Sequence, residues 1–364
     1  KVDLYSMKRF DAFELYRDYL LAEDHQATAT GLSASTDNLV KHDYISDMLA
    51  DPSLDSQLFW KSVKPFARKI ESEDSVISVD DTISEKPHSS INTIVNYHFD
   101  HTKGKSIKGI NILNFLLSTT LEDETTVNCP VGFEVIVKDQ EFIDKEGKTK
   151  YKSAKNKNEL VIDKLSTLLY DNRLKFKYIL FDTWFSSNDN MKQIHKRFKK
   201  YFVCPLKKNR RVALSKEDKY AGKFVEVSSL DINKEEVLEV YIKGLDFPVR
   251  LVKQIFKNKD YSEGVLYLVT NEIEADYNQI TTIYQKRWKV EELHKSLKQN
   301  TLLSKSPTKM EVTQKNHIFA SMLAYIELER LKIKERLNHF ALMAKLRLKM
   351  LNAALEELNR LRTA

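Results

Sequence analysis

The sequence predicts an α/β protein: a mixed-sheet core, interrupted by an all-β insertion and flanked by helical regions at both ends. Three observations carry this expectation. Two short apolar runs, Val76–Val79 and Tyr178–Phe181, each stop at an aspartate, as buried strands do where they reach a polar sheet edge. Residues 212–274 switch to brief β-type runs parted by polar turns. Helical periodicity marks residues 7–75, returns at Gln279–Asn300 and holds from Val312 onward.

In chain order, the first region reads as helices at Phe10–Leu21, Thr36–Leu49 and Leu58–Ile70, and Thr28–Leu49 resembles a small helical DNA-binding module. Val76–Val79 is the first core strand and ends in Asp80-Asp81-Thr82. Strands at Asn92–Phe99 and Ile110–Ser118 follow, then a helix at Lys157–Tyr170 and the strand Tyr178–Phe181, which stops at Asp182. A helix at Asn188–Lys199 and a strand at Tyr201–Leu206 precede the β-rich runs Phe224–Val227, Val237–Ile242, Val249–Phe256 and Val265–Val269. The expected units are therefore 1–75, a helical DNA-binding domain; 76–211, the first part of the core; 212–274, the β insertion; 275–310, the core again; and 311–364, a helical tail.

Charge is unevenly placed. The chain of 364 residues carries a net +7, yet residues 1–75 hold nine Lys/Arg against fourteen Asp/Glu, so the excess sits further on. Met191–Arg211 contains nine Lys/Arg and no acid, interleaved with Phe198, Tyr201, Phe202 and Val203. A charge run is commonly a solvated face, but one threaded with apolar residues lies on packed structure and suits a polyanion. Two distant cysteines, Cys129 and Cys204, exclude a cysteine-based zinc site and fit a reducing, cytoplasmic setting. There is no secretion-signal pattern and no apolar run long enough to span a bilayer, so no membrane partner is expected.

The segment Tyr284–Lys298 carries the most chemistry. Taken as one helix at about 100° per residue, Tyr284, Arg287, Glu291, Lys295 and Lys298 share an arc of roughly 80°. Ile283, Val290, Leu293 and Leu297 form the adjoining apolar face, and Glu292 falls off the polar row. An amphipathic helix with i, i+4 ion pairs would look the same. The spacing Tyr-x2-Arg-x3-Glu-x6-Lys, with its local Arg-Trp-x-x-Glu-Glu-x-His-Lys, resembles the Y-R-E-K signature of a large family of bacterial insertion-sequence transposases of the DDE class.

That resemblance, which spans residues 76–300, implies an RNase H-like catalytic core. It implies Asp80, Asp182 and Glu291 as catalytic acids and metal ligands, with Asp81 as the alternative first ligand. It implies Tyr284, Arg287 and Lys298 on DNA phosphates with Lys295 assisting, and two Mg²⁺ ions per site, replaceable by Mn²⁺. The implied partners are transposon-end and target double-stranded DNA and a second copy of the chain, and the implied activity is cut-and-paste transposition. Carboxylates suit that chemistry because in-line attack on a phosphodiester needs hard divalent ions held by oxygen. A lone Asp at a strand end is more often a turn residue; the third acid on a later helix favours catalysis. Alternatives are a domesticated DNA-binding protein, an RNase H-like nuclease, or a glycoside hydrolase with paired acids, which would not need the basic run.

Trp288 is expected to pack in the core or stack on a base. Residues 212–274 contain no Trp, leaving Tyr220, Tyr241, Phe247 or Tyr261 for any stacking there. His88, His294 and His317 are expected to be structural. Near the end, Phe319, Leu323, Ile326, Ile333 and Leu337 mark one packing face, and Leu351, Ala354, Leu355, Leu358 and Leu361 mark a second stripe suited to a dimer contact.

Overall fold

The computed structural model describes residues 9–100, 103–257 and 261–363, so the start of the N-terminal region and a short piece of the β-rich segment lie outside the description. Four helices open it: α1 (Arg9–Ala22), α2 (Ala29–Ser35), α3 (His42–Leu49) and α4 (Ser56–Ile70). Thr28 and Asp55 cap α2 and α4 by accepting from backbone N–H groups at their starts. The helix expected from Thr36 begins only at His42, because Asp37 and Asn38 take positive φ and break the chain's course.

The core strands are β1 (Val76–Glu85), β2 (Val95–Asp100), β3 (Lys105–Thr120) and β4 (Thr126–Val135), followed by a small hairpin, β5 (Gln140–Ile143) and β6 (Thr149–Lys152). Then come α5 (Lys157–Ser166), β7 (Tyr178–Phe181), α6 (Asn188–Lys192) and β8 (Tyr201–Leu206). β4, β3, β1, β7 and β8 are neighbours in that order, the first two pairings antiparallel and the last two parallel. This is the RNase H-like arrangement.

Sequence alone does not predict β4, because Asn128, Pro130 and Gly132 look like breakers. Pro130 sits where the β3–β4 register shifts, and on that edge its missing N–H costs no ladder bond. Residues 211–270 supply β9 (Arg211–Ala213), a short helix α7 (Lys216–Tyr220), β10 (Val225–Glu226), β11 (Val237–Ile242), β12 (Val249–Lys257) and β13 (Glu263–Thr270). They continue the core sheet, since β13 pairs antiparallel with β8, and the whole forms an 11-stranded sheet.

The chain closes with α8 (Tyr277–Gln285), α9 (Trp288–Asn300), α10 (Glu311–Glu335) and α11 (His339–Thr363). α10 is buried around most of its circumference rather than on one face. Phe319 stacks edge-on with Phe13 of α1 and Phe59 of α4, and Phe59 in turn meets Phe133 of β4. His317 donates from Nε2 to the Leu302 carbonyl and accepts the Tyr16 hydroxyl at Nδ1, both at 2.9 Å. The N-terminal helices, α10 and the sheet thus share one core. Among the described residues no helix is long and apolar enough to cross a membrane.

Glu329 is the charged group set deepest in this junction. Its carboxylate lies 3.2 Å from His339 Nε2 and 3.1 Å from Lys332 Nζ, and accepts from the Asn128 N–H and the Tyr325 hydroxyl. Burial alone would raise its pKa, but His339, Lys332 and the Asn128 N–H outweigh that and hold it below the usual carboxylate value. A lowered folded pKa contributes stability above the unfolded value, and that stability disappears as pH falls through the folded value. Glu329→Ala should cost about 3–5 kcal/mol, because it strands buried partners. It should also flatten the acid limb of melting temperature against pH; an unchanged limb would remove Glu329 from this role.

Candidate active site

Asp80 and Asp182 come together through strand register. Val76, Ile77, Ser78 and Val79 of β1 lie beside Tyr178, Ile179, Leu180 and Phe181 of the parallel β7. One residue further along each strand stand Asp80 and Asp182. Side chains alternate along a strand, so both acids lie on the face of Val76, Tyr178 and Leu180, which α8 covers through Ile280, Ile283 and Tyr284. β1 does not stop at Asp80 as expected: β3 pairs with it through Glu85, and only β7 ends. β7 ends because Asp182 Oδ1 accepts from the N–H groups of Trp184 (2.9 Å) and Phe185 (3.4 Å), turning the backbone out of the sheet.

Glu291 reaches the same place from α9. Arg287, at the start of that helix and mostly buried, places NH1 3.5 Å from Asp80 Oδ2 and NH2 3.1 Å from Glu291 Oε1. One guanidinium therefore spans the first and third acids. Asp81 points to the opposite face, where it accepts from Asn111 Nδ2 (2.7 Å) and Lys157 Nζ (2.8 Å).

The electrostatics follow from this crowding. Burial, then repulsion from Asp182, pushes the Asp80 carboxyl up to about 7, against the pull of Arg287. Asp182 is also raised, chiefly by burial, against its two backbone donors and Arg287. Among the described residues no three His, Cys, Asp or Glu groups form a ready metal cage. The donor set nonetheless fits a hard divalent ion. Its oxygens are carboxylates, two of them repel one another, and the Glu291 side chain, though paired with Arg287, is 44% exposed.

The row expected to meet phosphate differs in exposure along its length: Tyr284 and Arg287 are buried, whereas Glu291, Lys295 and Lys298 are exposed. A tight turn separates α8 from α9, with Lys286 and Arg287 N–H groups bonded three residues back to Ile283 and Tyr284 carbonyls. The turn keeps Tyr284 stacked one turn from Arg287, where burial pushes its phenol up to about 12 and the Arg287 guanidinium lies 5.7 Å from its ring. Lys295 is exposed, its ammonium 4.7 Å from the Phe340 ring, and Lys298 is exposed near Glu85, Asp100 and Lys103.

Trp288 does not pack in the core. It is 58% exposed, with the Arg287 guanidinium 5.4 Å from its ring. Trp184, for which the sequence raised no expectation, is 54% exposed two residues after Asp182, and an Asp-x-Trp at a strand end was the signal. Of the other candidate stackers, Phe247 is buried on His195, whereas Tyr220 and Tyr261 are exposed. His294 stays neutral through desolvation and the nearby Lys298, and its Nε2 accepts from Asn114, the residue opposite Asp80 on β3. The basic run 191–211 is partly tied down: Lys196 pairs with Asp246, Lys200 donates to the Phe176 carbonyl and Arg210 to Asn188.

A sheet of this order, with an aspartate just beyond each of two paired parallel runs and a glutamate brought in by a helix, has the RNase H-like fold of the DDE-type nucleases, which generally use divalent metal ions. Residues 6–223 match the family described as DDE superfamily endonuclease, and residues 148–326 match the transposase DDE domain. The chain belongs to the DDE superfamily of endonucleases, and its residues 148–326 are similar to a transposase DDE domain. No curated protein gives a significant match.

Proposed function

We propose that this protein binds the ends of a mobile DNA element, cuts the phosphodiester there and joins the 3′ ends to target DNA, with Asp80, Asp182 and Glu291 as its catalytic acids. The observation that supports the reading is the placement of Asp80 and Asp182 one residue beyond the paired runs Val76–Val79 and Tyr178–Phe181, with Arg287 spanning Asp80 and Glu291. Asp80 is preferred to Asp81 because it shares a face with Asp182, while Asp81 is held on the other by Lys157. Bound Mg²⁺ or Mn²⁺ supplies activation of the attacking oxygen and stabilisation of the leaving one.

The chain's own groups do the rest. Asp80 and Asp182 hold ions on rigid strands; Glu291 closes the site from α9. Arg287, already between two acids, exchanges a carboxylate for a phosphate oxygen as DNA enters, a charge-assisted contact. Lys295 and Lys298 lie further along α9 as phosphate contacts, while Tyr284 supports Arg287 from below. Incubating the protein with plasmid, with and without Mg²⁺, tests the reading. Magnesium-dependent nicking is expected; an inert plasmid in the presence of duplex binding would favour a domesticated DNA-binding protein.

Two copies pair through α11 when two ends are held together. Only His339, Leu342 and Met343 of that helix are buried, and Leu351, Leu355, Leu358 and Leu361 stand exposed beyond them. Truncation should spare residues 339–346, because His339 bonds Ser296 of α9 at 2.9 Å. Removal of residues 347–364 should leave a folded monomer that light scattering finds unable to assemble two subunits on two ends; retained pairing would rule the helix out. The N-terminal helices are the proposed readers of end sequence. Since they cover Phe319, exposed side chains on α3 should be changed rather than the region deleted.

A further inference from the structure

We propose that the β5–β6 hairpin is a second DNA contact, a lysine-bearing ribbon lying along the backbone of the same duplex whose phosphate occupies the acid site. The inference rests on the nuclease reading above. β5 and β6 pair only with each other, and every residue of both strands is exposed. A two-stranded ribbon bare on both faces is marginal by itself and buries no core. Yet it carries Phe142, Ile143 and Tyr151 into solvent.

Its charge is ordered. From Lys148 to Lys157 the chain holds five lysines and no acid. Lys148, Lys150 and Lys152 recur at every second position, so they share one face, about 7 Å apart along the strand. Directly opposite on that face lie Phe142 and Gln140, with the Lys152 ammonium 5.7 Å from the Phe142 ring. Glu141 and Ile143 stand on the other face beside Tyr151 and Thr149. The acids of the turn are already engaged: Asp144 accepts from the Glu146 and Lys148 N–H groups and pairs with Lys150, and Glu146 pairs with Lys148. Exposed lysine pairs of this kind exchange a carboxylate for a phosphate at little cost. A row of cations backed by a ring is the surface that a phosphate strand neutralises.

The hairpin is also continuous with the site. Lys157, the first residue of α5 after the hairpin, donates to Asp81, the chain neighbour of Asp80, on the other face of β1. Lys138, just before it, donates to the Tyr97 carbonyl on β2 at 2.7 Å. The base of the ribbon is thereby tied to the strand that carries the first acid, and each arm can extend roughly 20 Å from there.

The test uses the full chain with Lys148→Ala, Lys150→Ala and Lys152→Ala combined, and the same three positions changed to Arg as the charge-retaining control. Anisotropy with a labelled random-sequence duplex over a salt series reads affinity and its slope. The alanine variant should bind about tenfold or more weakly at low salt and lose roughly two to three units of slope, and the arginine variant should recover both. Since these side chains are exposed, melting temperature should not move. Wild-type binding matched by the alanine variant in affinity and slope would overturn the hairpin contact and leave the nuclease reading standing. Failure of the wild-type protein to bind any duplex would overturn both.

Discussion

Replacing Asp182 with Asn or Glu291 with Gln will abolish DNA cleavage and leave duplex binding nearly intact. Neither change should disturb the fold. A carboxamide oxygen at position 182 can still accept the Trp184 and Phe185 N–H groups that end β7, and one at position 291 can still accept from Arg287. What is lost is a charged oxygen ligand. Metal-assisted charge stabilisation is worth several kcal/mol, so turnover should fall by about 10³-fold or more. Asp81→Asn provides the contrast: its partners are Lys157 and Asn111 on the opposite face, and cleavage should stay within about tenfold of wild type. Binding lost in parallel with cleavage would make the acids structural, and loss of cleavage in Asp81→Asn equal to that in Asp80→Asn would make Asp81 the ligand.

Arg287→Ala should produce the second large effect, by two routes. The guanidinium is the cation that restrains the proton affinity of both Asp80 and Asp182. Without it, both carboxyls hold their protons to higher pH, and divalent ions compete with those protons. The metal-activation curve should therefore move to higher pH, and cleavage should fall by roughly 10²–10³-fold where a preorganised donor to developing charge is lost. Arg287→Lys should restore the position of the pH curve but little of the rate, since an ammonium cannot span two acids as a planar fork does. A rate loss with no pH displacement would confine Arg287 to holding DNA.

Much of the candidate site is legible from residue order because each proposed acid carries a local mark. Asp80 and Asp182 follow four-residue apolar runs, and Glu291 lies in a segment whose spacing resembles a known signature. What sequence could not show is the pairing of those runs. The register of Val79 with Phe181 is a long-range fact, set by packing on both faces of the sheet. The turn at Lys286–Arg287 contains neither Gly nor Pro, so the periodicity runs straight through it and places Tyr284 in the polar row. Pro130 concealed β4, and the β5–β6 hairpin was invisible because no buried face imposes an alternating pattern on it. Core packing is the common fate of a helix Trp, but it fails for Trp288 because the helix start leaves its ring over Arg287 in solvent.

The most direct test of the central claim is the position of a bound divalent ion. Crystals of the protein grown with Mn²⁺ should show an anomalous scattering peak in contact with the carboxylates of Asp80 and Asp182, with Glu291 turned toward it and away from Arg287. A peak on the Asp81 and Lys157 face, or Mn²⁺ bound elsewhere with the Arg287 bridge unbroken, would contradict it.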